Sequence, residues 1–440
     1  MARPSHARKL GVWANGLRVG SWTIPSRGPM EFRYDPEWMA SPEARPLSLS
    51  LPMNLDGAPV RGDVVEFYFD NLLPDSDAIR RRIQQRFHTR SLDTFALLEA
   101  IGRDCVGAIQ LLPEGLEPQV REIHAKRLSE QDVEHRLIAA TASGSLGSET
   151  EDDFRISLAG AQEKTALLWH GGSWCQPLGS TPTSHIFKLP LGLVGGRQMD
   201  MSDSLENEWL CGRLLGAFGV SAASSELRCF GETRTLVVTR FDRELHSSKK
   251  YWLRLPQEDF CQATGTPNTR KYEADGGPGL LEIGRILQGS VVRERDLATL
   301  FRSQLLFWML GAIDGHAKNF SLRLLPAGRY RLTPLYDVLS AWPVAGTKAN
   351  QIHSKKMKLA MALRGKGKHY RIDAIRRRHF NETAKRCGLV DMDAIIDDVV
   401  EKTPAVVDTV ARLLPKAFPP ALFETVTNGL RRSAEQLART

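Results

Sequence analysis

Residues 305–320 read LLFWMLGAIDGHAKNF. Nine apolar residues, Leu305 to Ile313, run directly into an aspartate, a histidine, a lysine and an asparagine within six positions. A membrane span takes roughly 18 apolar residues in succession, so this is a core helix that ends by presenting polar side chains at an edge where chemistry is done. Four residues separate Asp314 from Asn319, the D-x-x-x-x-N spacing of a kinase catalytic loop. Phosphoryl transfer needs a carboxylate that orients the acceptor hydroxyl and takes its proton, and an amide oxygen that can hold a magnesium ion.

The flanking sequence extends the pattern in both directions. Downstream, SLRLLPAGRYRLTPLYD (321–337) reads as two strands joined by a turn at Pro326–Gly328, and such a hairpin returns Asp337 to the side of Asn319. Tyr336-Asp337-Val338 takes the place of the usual D-F-G. Upstream, HIFKLP (185–190) sets Lys188 on a strand, as a phosphate-binding lysine is set. ISLAGAQEKTALL (156–168) puts Gly160 in a small-residue turn where backbone N–H groups could cradle phosphates. Glu206 and Glu208 on the next predicted helix both remain candidates to pair with Lys188, and His316 either orients Asp314 or packs.

The 440 residues suffice for two or three packed units. No apolar stretch follows the basic N-terminus as a secretory signal would, so the expected location is the cytoplasm, without a membrane partner. Six scattered cysteines, none in a CxxC pair, argue for free buried thiols rather than zinc or disulfides. The whole-chain charge is +8, yet residues 346–386 alone hold 13 Lys or Arg against Asp373 and Glu382. That segment is either a patch for nucleic acid or an acidic partner, or a solvated face.

Organisation follows composition. Residues 1–115 carry short strands first, with a hairpin at Asn15-Gly16 and alternation in PLSLSLP (46–52). DNLLPDSDAIRRRIQQRF (70–87) then reads as a turn into a helix capped by Asp75 or Ser76. Residues 116–153 are a helix from Ser129 and a mobile linker, 154–255 a β-rich lobe, and 256–440 a helical lobe. The expected fold is α+β: two lobes with a cleft between them, as in protein kinases, and an added β-rich N-terminal subdomain.

These residues resemble the HipA family, serine/threonine-kinase toxins of bacterial toxin–antitoxin systems. The resemblance is carried by PEWMAS, RPLSLSLP, DNLLPDS (70–76), IGRDCVGAIQL (101–111), FRISLAGAQEKTALL, PTSHIFKLP, RFDR (240–243), LRLPQEDFCQ (253–262), YEADGGPG (272–279), DGHAKNFS (314–321) and YRLTPLYDVLSA (330–341). It implies Asp314 as catalytic base, Asn319 and Asp337 on Mg²⁺, and Lys188 on ATP phosphates. Residues Ser157, Leu158, Ala159, Gly160, Ala161 and Gln162 would line the nucleotide, as would Phe241, Gln257, Glu258, Asp259, His316, Lys318 and Tyr336. It further implies inhibitory autophosphorylation at Ser157, an aminoacyl-tRNA synthetase substrate, typically the glutamyl enzyme, and a HipB-like helix-turn-helix antitoxin that carries the complex to operator DNA. Cys105 stands where the family pattern suggests serine, and Thr239 where it suggests glutamate, both expected near the adenine.

Other readings are a catalytically weak kinase fold serving an antitoxin–DNA repressor complex, a small-molecule phosphotransferase, and a metal-dependent hydrolase using Asp314, His316 and Asp337. Intact Asp314, Asn319 and Asp337 speak against the first, and the hydrolase leaves Lys188 and Gly160 unexplained.

Overall fold

The computed structural model describes residues 7–141, 157–158 and 162–439. Ala159, Gly160, Ala161 and the expected linker at 142–153 lie outside the described residues.

The N-terminal unit is a five-stranded antiparallel sheet: β1 (Arg8–Ala14), β2 (Leu17–Ile24), β3 (Glu31–Tyr34), β4 (Val60–Arg61) and β5 (Ile109–Pro113), ordered β4-β3-β2-β1-β5. Asn15 and Gly16 join β1 to β2 with φ of 49° and 86°, the left-handed pair that a tight hairpin between twisted strands requires. Helices α1 (Pro36–Ala40), α2 (Asp63–Asp70), α3 (Asp77–Phe87) and α4 (Thr94–Ile101) accompany the sheet. Its core is aromatic, with Trp22 stacked on Phe69 at 4.0 Å. Residues 46–52 are not a strand: they form a turn closed by a single Ser48–Leu51 bridge. The alternation there has another cause, because Leu47 and Leu51 enter the core while Ser48 and Ser50 donate to Glu258 and to Gln262 O.

After β6 (Ala125–Arg127) and α5 (Glu130–Thr141), a second antiparallel sheet is built from β7 (Lys164–His170), β8 (Ser173–Pro177), β9 (His185–Lys188), β12 (Ser225–Phe230) and β13 (Thr233–Thr239), in the order β12-β13-β9-β7-β8-β6. Between β9 and β12 come a short hairpin, β10 (Gly192–Val194) with β11 (Met199–Met201), and helix α6 (Ser204–Ala217). Period-two alternation assigns the faces. Phe187 and Val237 pack with Val133 and Leu137 of α5, whereas Leu236 and Val238 join the core that holds α6. Lys188, one residue past Phe187, therefore projects toward α6 and the helical lobe.

A hairpin of β14 (Arg243–Leu245) and β15 (Trp252–Arg254) leads into the helical lobe. There β16 (Gln257–Asp259), β17 (Ser321–Leu324) and β18 (Tyr330–Leu332) form a three-stranded sheet beside α7 (Phe260–Ala263), α8 (Leu280–Leu287) and α9 (Arg293–Leu310). The chain continues through β19 (Lys358–Arg364), β20 (Lys368–Arg371), α10 (Arg377–Arg386), α11 (Met392–Ala411) and α12 (Pro420–Ala438). One apolar core unites α6, α8, α9, α11 and α12.

The N-terminal unit is bonded to both lobes. Asp104 pairs with Arg240, Arg243 and Arg254, all buried, and Gly107 N donates to Asp242 at 2.8 Å. Thus IGRDCVGA and RFDR are two halves of one buried ion cluster. Cys105 lies inside it, its thiol pushed up to about 12 by burial and by Asp104. Among the described residues no helix is long and apolar enough to cross a membrane, and all six cysteines are free, Cys229 alone being exposed.

Candidate active site

Helix α9 ends at Gly311 in a left-handed turn (φ 61°), where Gly311 N and Ala312 N bond back to Trp308 O and Phe307 O. A side chain at 311 would also press on Trp342, so the cap is fixed by conformation and by space. The loop that follows is held by its own backbone: His316 N donates to Asp314 O at 2.8 Å, and Asn319 N to His316 O at 2.9 Å. Gly315 lets the loop lie on Phe307, which any Cβ there would overlap.

The loop's functional ends converge. Asn319 Nδ2 donates to Asp314 O at 2.9 Å and to Asp337 O at 3.4 Å, so neither bond uses its Oδ1, which could hold a cation. Asp337 has a left-handed backbone (φ 58°), a conformation that aspartate tolerates better than most residues and that clusters at functional sites. Lys188 Nζ bridges Glu208 Oε1, at 2.6 Å, and Asp337 Oδ1. Glu206 instead meets Arg234 at 2.8 Å, so Glu208 is the lysine's helix partner. Burial raises the Asp337 carboxyl, but Lys188 and Lys164 outweigh it and hold the group at about 2. The same carboxylates overcome burial to keep Lys188 charged.

Asp314 is exposed, and its Oδ1 accepts from the Tyr272 hydroxyl at 2.5 Å. His316 meets Tyr272 edge to face with centroids 5.1 Å apart, and burial lowers its imidazole to about 4. At neutral pH His316 is therefore a neutral packing partner of Tyr272. Tyr336 anchors the loop from below, donating to Lys318 O at 2.8 Å and bonding Ser321 Oγ, and its ring lies 5.8 Å from that of Phe241.

Other expected nucleotide contacts have side chains engaged elsewhere. The Lys318 ammonium is buried on Asn71 Oδ1 (2.9 Å), Asn71 O (3.1 Å) and Asp75 (3.2 Å), with Asp259 at 3.8 Å. Asp259 caps α7 by accepting from Gln262 N, and Glu258 accepts from Ser48 Oγ and Leu49 N. Gln257 is buried, and Gln162 donates to Leu189 O at 2.6 Å. Ser157 is buried too, its Oγ donating to Leu72 O at 2.7 Å, with the buried Leu158 beside it. Thr239 is exposed at the end of β13. Sequence reasoning missed Tyr272, Lys271, Asn71 and Asp75. The motifs YEADGGPG and DNLLPDS contained the signal, but their partners lie 42 and 247 residues away along the chain.

Two family models account for most of the molecule: the HipA N-terminal domain over residues 10–112 and the HipA-like C-terminal domain over residues 156–407. The chain belongs to the HipA family. Among HipA relatives, Y4mE of Sinorhizobium fredii, a kinase by designation, is 32% identical over 80% of this chain and 82% of its own. The serine/threonine-protein kinase toxin HipA of Shewanella oneidensis is 29% identical over 70% of this chain and 69% of its own. In the solved complex of Shewanella oneidensis MR-1 HipA with HipB and operator DNA, a chain 21% identical superposes with a TM-score of 0.78, covering 98% of this chain and 97% of that one. The two-lobed α+β kinase-like fold is thus the HipA fold, and the protein is a protein kinase of that family.

Proposed function

We propose that the chain is the serine/threonine-kinase toxin of a type II toxin–antitoxin pair, using ATP and Mg²⁺. The observation that carries this is the convergence of Lys188, Glu208, Asp337, Asn319 and Asp314 on one site. Asp337 and Asn319 Oδ1 fit a hard divalent cation, being an ionised carboxylate and a free amide oxygen. Lys188, already fixed by Glu208, fits the nucleotide phosphates. When bound, ATP supplies the phosphoryl group and Mg²⁺ neutralises its charge. The chain's own part is to keep Lys188 positioned through Glu208, to orient the acceptor hydroxyl on Asp314, and to take its proton there. The hydrolase reading leaves the Lys188–Glu208 pair without a role.

The serine acceptor is read as belonging to an aminoacyl-tRNA synthetase, the glutamyl enzyme first, and the partners as a HipB-like antitoxin with its operator DNA. Relatives bearing the names HipA and HipA–HipB–operator complex support that pairing. Ser157 is the proposed site of inhibitory autophosphorylation, and its surroundings give the physical reason: a phosphate carrying close to two negative charges could not return to a buried position against Leu72 O.

The test is to incubate the protein and its Asp314→Gln variant with labelled ATP, Mg²⁺, glutamyl-tRNA synthetase and its tRNA. Label on the synthetase, absent with the variant, is expected. Label only on the chain itself redirects the search to other synthetases, and none anywhere favours the repressor-component reading.

A further inference from the structure

We propose that Asp75, from the N-terminal unit, is a positioning residue for phosphoryl transfer, its carboxylate gripping two lysines that hold the catalytic loop and the turn carrying Tyr272. The inference rests on Asp314 being the base. Asp75 follows α2 and Leu72–Pro74 and precedes α3, so it belongs to the first unit of the chain, yet both its partners lie in the helical lobe. Lys271 Nζ is 2.8 Å from Asp75 Oδ2, and Lys318 Nζ is 3.2 Å from Oδ1.

Each lysine leads to the reacting groups by one step along the backbone. Lys318 precedes Asn319 and lies in the loop that begins at Asp314. Its carbonyl is held by Tyr336 OH, next to Asp337, so residue 318 is gripped at both ends. Lys271 precedes Tyr272, whose hydroxyl donates to Asp314 Oδ1. Asp75 thus ties together the loop that carries the base and the turn whose tyrosine donates to it. The carboxylate stays ionised: burial raises it, but the two ammoniums prevail and hold it at about 2. Without that charge Lys318, with a side chain only 4% exposed, keeps one acid, Asp259, 3.8 Å away. A buried ammonium left so poorly matched shifts toward water, and a displacement near 1 Å in reacting groups costs about 100-fold in rate.

The experiment compares full-length parent, Asp75→Asn, Asp75→Glu, Lys271→Met and Asp314→Asn, reading the initial rate of phosphate transfer from γ-labelled ATP to the chain or to water. ATP binding is titrated separately in Mg²⁺. We expect Asp75→Asn to lower kcat by roughly 10- to 100-fold with KM and Kd for ATP within about twofold, since Lys188, Glu208 and Asp337 are untouched. Asp75→Glu should recover much of the rate, and Lys271→Met, which cuts one arm and leaves Lys318 paired, should slow transfer several-fold. If Asp314→Asn is inactive while Asp75→Asn and Lys271→Met turn over like the parent, the clamp is overturned and the base reading stands. If Asp314→Asn remains active, the base reading fails and the clamp falls with it. If Asp75→Asn loses ATP affinity and rate together, Asp75 supports the fold only, and the inference is overturned.

Discussion

Lys188 touches two carboxylates at once, and each answers to a different part of the chain. Glu208 belongs to α6 and fixes the lysine, while Asp337 follows β18 and, in the proposed reading, would turn from the lysine to a cation when nucleotide binds. Glu208→Gln should therefore raise KM for ATP and lower kcat by roughly tenfold, whereas Glu206→Gln, which frees only Arg234, should change neither beyond twofold; steady-state rates check both. The sequence made Lys188, Asp314, Asn319 and Asp337 legible because their order is chemically constrained. It could not choose between Glu206 and Glu208, which are two positions apart on a helix whose orientation depends on the sheet beneath it. Glu258 was expected beside the nucleotide, but the sequence could not foresee its burial, which pushes the carboxyl from 4.5 up to about 8. A raised pKa means that only the folded chain keeps the proton between those values, so the contribution of Glu258 to stability is fully present below pH 4.5 and is lost as the pH rises to about 8. Denaturant unfolding at several pH values should reveal that slope, on the order of 3–5 kcal/mol in all, and Glu258→Gln should flatten it. A variant with an unchanged slope would assign the titration elsewhere.

At the level of elements, the basic segment is less bare than its composition. Arg371 meets Asp373, Arg386 meets Glu382, and Arg377 is bound by Asp393 and Asp397 of α11. In the β19–β20 hairpin Arg364 stands opposite Lys368, a like-charged pair that would repel, and both reach Glu273. A count over residues 346–386 misses these acids because Asp393, Asp397 and Glu273 lie outside the window. Lys355, Lys356 and Arg378 are exposed and carry no ion pair among those described. Reversing these three charges should weaken binding of the antitoxin complex to operator DNA and reduce its salt slope by about three, while reversal of Arg377 should lower thermal stability; unchanged affinity and slope would give the segment another task. Two of the three glycines in the YEADGGPG turn are fixed by space: a Cβ on Gly277 would overlap Arg270 O, and one on Gly279 would overlap Glu273. The PLSLSLP alternation misled for a related reason, since serines bonded across a domain boundary mimic the solvent side of a strand.

On the scale of the molecule, the N-terminal unit was readable as a unit but not as part of the active site. Local patterns predict hairpins and helices; they carry no information about a lysine 247 residues away from its acceptor. The Asp104–Arg240–Arg243–Arg254 cluster, the Ser48–Glu258 bond and the Asn71–Lys318 bond all cross that boundary. Calorimetry should accordingly give one cooperative unfolding transition rather than two, and separate peaks would mark the boundary as energetically thin. Helix α12 completes the picture from the other side. Its Gly429 packs on Trp342, five residues past Asp337, and its Val426 and Leu430 fill the core beneath α9. A ribosome making this chain releases that helix only after every catalytic side chain has already emerged. The core beneath α9 is therefore completed by residues that are synthesised after the ones they support.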